Sequence, residues 1–156
     1  MGYGVHPPPH RFFTFYSAIF FQLLLYHNYI LFRTTMVSMD LPTAVNSYQF
    51  GERAKSGLIM ASQLAIALTG FSEQERAGGK RMLLLMMESI RSELQFAFRD
   101  TGRQDFQKAI NSLNEAISLV EGNQPEQASE KIAAAISAST TPAQEAWQVL
   151  KEHGLI

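Results

Sequence analysis

The chain has no cysteine. Disulfides, thiolate nucleophiles, Cys-ligated zinc and iron–sulfur clusters are therefore excluded, while the compartment is left open. Histidine is almost as scarce. His6, His10 and His27 precede Met36, and His153 lies close to the C-terminus. With no histidine between Met36 and Glu152, that part of the chain cannot build the Glu-x-x-His pairs of a di-iron bundle, a His-ligated haem or a Ser-His-Asp triad. His153 falls in a last helical turn, where the helix dipole favours a cation. Charge is also thin, at 17% of 156 residues against roughly 25% in ordinary soluble domains.

The charge deficit is local. No Asp or Glu occurs before Asp40, and Arg11 and Arg33 are the only Lys or Arg up to that point. This stretch is crowded with Phe and Tyr. From Met36 onward the composition is ordinary and acids outnumber bases, which gives no electrostatic reason to expect nucleic acid or an anionic membrane as a partner. The expected organisation is a hydrophobic N-terminal extension over 1–35 and a helical domain over 36–156.

Within the extension, Pro7-Pro8-Pro9 cannot be helical. Phe12 to Phe32 carries no formal charge, and as a helix it would span about 31 Å, enough to cross a hydrocarbon core. It makes a poor cleavable signal, being too long and lacking a small-residue cleavage site before Met36. Three expectations compete. In the favoured one translation starts at Met36 or Met39, the earlier residues are translated upstream DNA, and the protein is cytoplasmic. In the second the segment is a single-pass membrane anchor, and in the third it is a hydrophobic helix covered by a partner. A membrane partner is expected only if residues 12–32 are genuinely expressed.

The remainder reads as helices throughout, with no strand pattern. Asp40-Leu41-Pro42-Thr43 is a helix entry, and apolar positions recur at helical spacing to Leu68. Gly51, Ala54, Gly57 and Ala61 thin one side of this helix and would let a neighbour approach closely. Gly70 is expected to close it as a left-handed cap. Ser72-Glu73-Gln74-Glu75 is a capping box, opening a helix to about Asp100, with Thr101-Gly102 as its stop. Phe106, Ile110, Leu113, Ile117 and Val120 form the clearest amphipathic stripe in the chain, capped by Gly122. An alanine-rich helix follows over about 125–139. Thr141-Pro142-Ala143-Gln144 then reads as a second capping box for a short last helix over about 142–152, with Ala146, Trp147 and Leu150 inward. The expected fold is all-α, an up-down antiparallel bundle of four to five helices, two of them long and three shorter.

Gly78-Gly79 lies in the first third of the second helix. No strand precedes it and no G-x-x-x-x-G-K-[ST] spacing surrounds it, so a phosphate loop is excluded. Either the helix kinks there or something packs hard against it. Arg76, Lys80 and Arg81 sit among acids and read as a solvated face. Glu93 could find a counter-ion in Arg53 or Arg91, but no carboxylate pair suggests acid–base work. No catalytic residue, cofactor or metal ligand is expected.

What stands out is Met82-Leu83-Leu84-Leu85-Met86-Met87. An uninterrupted run of six covers every side of a helix, so no single amphipathic stripe accounts for it. Either this helix is central and buried on all sides within one chain, or Met82, Leu84, Leu85, Met86 and Phe96 are the candidate interface. The expected function is protein–protein contact without catalysis, as a homo-oligomer or with an unknown protein partner. A membrane-anchored bundle and a carrier holding a small apolar ligand between the two long helices are the alternatives.

Overall fold

The computed structural model describes residues 39–156; the expected anchor segment Phe12 to Phe32 lies outside them. The described residues form an all-α bundle of four packed helices. These are α1 (Leu41–Ala67), α2 (Glu73–Thr101), α3 (Gln104–Glu121) and α4 (Pro125–Glu152), with a short 3-10 turn (Leu68–Gly70) after α1. Among the described residues no helix is long and apolar enough to cross a membrane.

Local chemistry sets the helix starts. Asp40 Oδ1 accepts the Thr43 backbone N–H at 3.0 Å. Glu75 Oε2 accepts the Ser72 backbone N–H at 3.2 Å and the Ser72 hydroxyl at 2.6 Å. Gly102 ends α2 in the left-handed region at φ 66°, its N–H donating to Phe98 O at 2.8 Å. Two expected caps differ. Gly70 is not left-handed, because α1 tightens into the 3-10 turn instead, with Thr69 Oγ1 donating to Ile66 O at 2.8 Å. After α3 the left-handed residue is Asn123 (φ 58°), one position beyond Gly122.

The larger correction is at Pro142, which lies inside one continuous helix. Proline removes the donor for the carbonyl four residues back and crowds it. The hydroxyls of the preceding turn do not replace that donor, since they bond earlier carbonyls: Ser139 and Thr140 to Ile136 O, both at 3.0 Å, and Thr141 to Ser137 O at 3.2 Å. Pro142 is fully buried, so packing holds the helix across it. The expected short last helix is therefore the second half of α4, and the bundle has three long helices and one shorter. Trp147 also differs: it is 43% exposed with the Lys151 ammonium 4.9 Å from its ring, while Ala146 and Leu150 face inward.

The core has two parts. The main cluster joins all four helices through side chains such as Leu58, Leu83, Leu94, Phe106, Leu113 and Ile132. A smaller one joins Ala44 to Ala146 and Leu150, with Leu41, Val45, Tyr48 and Val149 packed around them. The boundary lies where Asn46 Nδ2 donates to Asp100 Oδ2 at 2.6 Å and Arg103 pairs with Glu145. Past that level only α1 and α4 continue.

The α1–α4 interface is lined by small residues. Beside Leu58, the buried residues of α1 are Ala44, Ser47, Gly51, Ala54, Ala61 and Ala65; beside Ile132, Pro142 and Leu150, those of α4 are Ala128, Ala135, Ser139, Ala143 and Ala146. A Cβ added at Gly51 would lie 2.7 Å from Ala143 Cβ and 2.9 Å from Ser139 O. Close backbone approach is thus why glycine stands there.

Candidate functional site

The run from Met82 to Met87 divides by direction. Leu83 and Met87 are buried in the core. Leu84 is half-buried against the core, two turns before Arg91, whose guanidinium donates to Asn114 Oδ1 of α3 at 3.3 Å. Met86 is half-buried on the opposite side, lining a groove with Gly57 and Met60 of α1. Met82 and Leu85 point outward, 67% and 59% exposed, and Phe96 on the same face is 56% exposed. Of the five expected interface residues, three therefore lie open on one face of α2. The other two belong partly to its margins.

The outer face has a regular order. Gly78, Met82, Leu85, Ser89, Ser92 and Phe96 are all exposed, at alternating steps of four and three residues along one helix. This is the spacing of a helix–helix seam. Gly78 has open space around it: an added Cβ would meet nothing within 4 Å. Its neighbour Gly79 has a reason inside the chain, since its Cβ would lie 2.7 Å from both Leu68 Cδ2 and Phe71 Cε2. Glu75 and Arg99 continue the stripe at its two ends, with the Arg99 guanidinium 4.5 Å from the Phe96 ring centroid. On the α1 side, Met60 and Leu64 add exposed apolar surface at 51% and 43%.

Elsewhere several charged groups are tied into the architecture. Glu93 is paired with Arg53 of α1, and Glu88 with Arg91. The groove between α1 and α2, of about 540 Å³, is open, and Ile90 fills the space that Gly57 leaves. A second cleft, of about 550 Å³, lies between the starts of α2 and α4 and is lined by Arg76, Lys80 and Glu126. Its cations are engaged: Lys80 donates to Glu121 O at 2.7 Å and Asn123 Oδ1 at 3.0 Å, closing the end of α3, and Arg76 donates to Phe71 O at 3.1 Å. His153 Nδ1 lies 2.8 Å from Val149 O at the end of α4.

The buried polar side chains among the described residues are Ser47 and Ser139. Ser139 donates to a backbone carbonyl, whereas Ser47 Oγ has no partner. No group of three potential metal-ligating side chains occurs among the described residues. Two carboxyls sit below their ordinary values, each because it accepts hydrogen bonds at a helix start: Asp40 from Thr43, and Glu75 from Ser72. Lys131 is held above its usual value by its hydrogen bond and charge interaction with Glu115, 2.6 Å away.

Sequence reasoning missed Gly78, Ser89 and Ser92 as parts of this face. Small residues carry no apolar signal, and their spacing acquires meaning only once the inward face of α2 is known. Comparison with protein-family models, with curated proteins and with solved structures found no match to this chain.

Proposed function

We propose that the chain acts by protein–protein contact through the outer face of α2, as a homo-oligomer in the first instance, and carries out no reaction of its own. One observation carries the reading. Met82, Leu85 and Phe96 are each more than half exposed on a single helical face, with Met60 and Leu64 beside them. Singly exposed apolar residues are normal on protein surfaces, but several large ones aligned on one helix face are the kind of surface that interaction sites present. Methionine suits such a surface because its unbranched side chain adapts to the opposing shape.

The engagement of the other charged groups supports the same reading. Of the ion pairs described above, Arg53–Glu93, Arg103–Glu145 and Lys131–Glu115 each tie one element to another, which is structural work. Leu85→Glu provides the test, with multi-angle light scattering on the full-length chain across a concentration series. The reading expects self-association in the parent and its loss in the variant, with unchanged helical content by circular dichroism. An association that survives Leu85→Glu undiminished would show that α2 is not the contact face.

A further inference from the structure

We propose that the second copy packs on α2 antiparallel to the first, about a two-fold axis at the level of Met87. This rests on the reading of the outer face of α2 as a contact surface, and adds to it a register. In an antiparallel helix pair centred on one residue, each stripe position faces the position equally far beyond the centre. With the centre at 87, Gly78 faces the partner's Phe96, Met82 faces the partner's Ser92, and Leu85 faces the partner's Ser89. Every pair joins one large and one small side chain. The stripe is complementary to itself when reversed, as an isologous interface requires.

The charges agree with this register. Glu75 faces the partner's Arg99, and symmetry repeats the pair at the other end. Nearer the axis, Glu88 lies on one margin with its charge already balanced by Arg91 of its own chain. On the other margin Met86, with Met60 and Leu64 beyond it, extends the apolar surface. The register also accounts for Gly78. An exposed glycine within a helix is disfavoured, and nothing in its own chain lies where a side chain would be. The partner's Phe96 ring needs that space.

The alternatives are worse. Sliding by one heptad in one direction sets Met82 against the partner's Leu85 and Gly78 against the partner's Ser89. Sliding the other way sets Leu85 against the partner's Phe96 and Ser89 against the partner's Ser92. Either shift puts large on large and small on small, which gives clashes and voids together. A parallel pair sets every residue against its own counterpart, including Glu75 against the partner's Glu75 and Arg99 against the partner's Arg99.

The absence of cysteine makes the register directly testable, because any introduced thiol is unique. Met82→Cys and Ser92→Cys are made separately in the full-length chain, then oxidised alone and as an equimolar mixture. Alone, each thiol lies about 15 Å along the seam from its symmetry mate, beyond the roughly 7 Å Cα separation that a disulfide spans. The proposal expects a covalent dimer in the mixture only. A disulfide in either variant alone would overturn it in favour of a parallel pair. A dimer by light scattering that gives no mixed disulfide would overturn the register while leaving the contact reading standing. A chain that is monomeric at every concentration would overturn both. As a second arm, Met82→Ser or Ser92→Met alone should weaken the dimer by about 100-fold, since each contact occurs twice. The double variant should restore it. Failure of the double variant to recover, with helical content intact, would also refute the register.

Discussion

Gly51 and Gly78 are both helical glycines, and alanine at either position gains the same helix propensity, about 1 kcal/mol. They differ in space. At Gly78 the new methyl meets nothing, so Gly78→Ala should gain that full amount. At Gly51 it would stand 2.7 Å from Ala143 Cβ and 2.9 Å from Ser139 O. Neither neighbour is the end of a flexible side chain, so the α1 and α4 backbones must separate. Overpacking of this kind costs about 3 kcal/mol, leaving Gly51→Ala a net loss of about 2 kcal/mol after the propensity gain. For a domain of this size 1 kcal/mol moves Tm by about 4 °C, so Tm should fall by about 8 °C for Gly51→Ala and rise by about 4 °C for Gly78→Ala. Thermal melts followed by circular dichroism measure both, at protein concentrations low enough that self-association does not contribute. If Gly51→Ala melts at or above the parent temperature, α1 and α4 do not meet at Ser139 and Ala143, and the continuous α4 would be wrong with them.

Ser47→Ala should be neutral or stabilising by up to about 1 kcal/mol, because Ser47 Oγ is buried without a partner and its desolvation is uncompensated; urea unfolding checks this. Phe106→Ala, which empties a fully buried site at the start of α3, should cost about 3–5 kcal/mol in the same assay. The pH dependence has a definite sign. Asp40 and Glu75 are both held below their ordinary values, so their contribution is complete above the usual carboxylate range and is lost as pH falls through the lowered values. Melting temperature should therefore decline more steeply below about pH 4 in the parent than in Asp40→Asn with Glu75→Gln. Equal slopes would show that these caps do not act on stability.

The sequence showed most where the determining chemistry is local. Asp40 and Ser72 start helices through bonds to residues three positions on, and Gly102 ends one through its own backbone freedom. The stripe from Phe106 to Val120 marks the inward face of α3 without reference to any other element. Pro142 misleads for the opposite reason. Thr141-Pro142 has the local form of a helix start, and only the burial of the ring against the bundle carries the helix through. Trp147 misleads because large and aromatic suggests buried, whereas α1 meets α4 through small residues and leaves no room for an indole. At the candidate site, six apolar residues in succession show from sequence that some must face outward. Which of them do so depends on the sides taken by α1 and α3, and Leu84 and Met86 turn toward those sides. Ser89 and Ser92 are silent in the sequence and become part of a pattern only beside Met82, Leu85 and Phe96.

The close seam between α1 and α4 joins the first and last described helices, and this governs the order in which the chain can fold during synthesis. The hairpin of α2 and α3 has its partners nearby in sequence and can form while the chain is still emerging. Helix α1 cannot: its small-residue face stays uncovered until Ala128 to Ala146 have been made. The ribosome must therefore deliver the chain as far as α4 before the loop between α1 and α4 closes. A release that stops before α4 would leave α1 without its main packing surface, so truncated products should be cleared by proteases rather than accumulate as partial bundles.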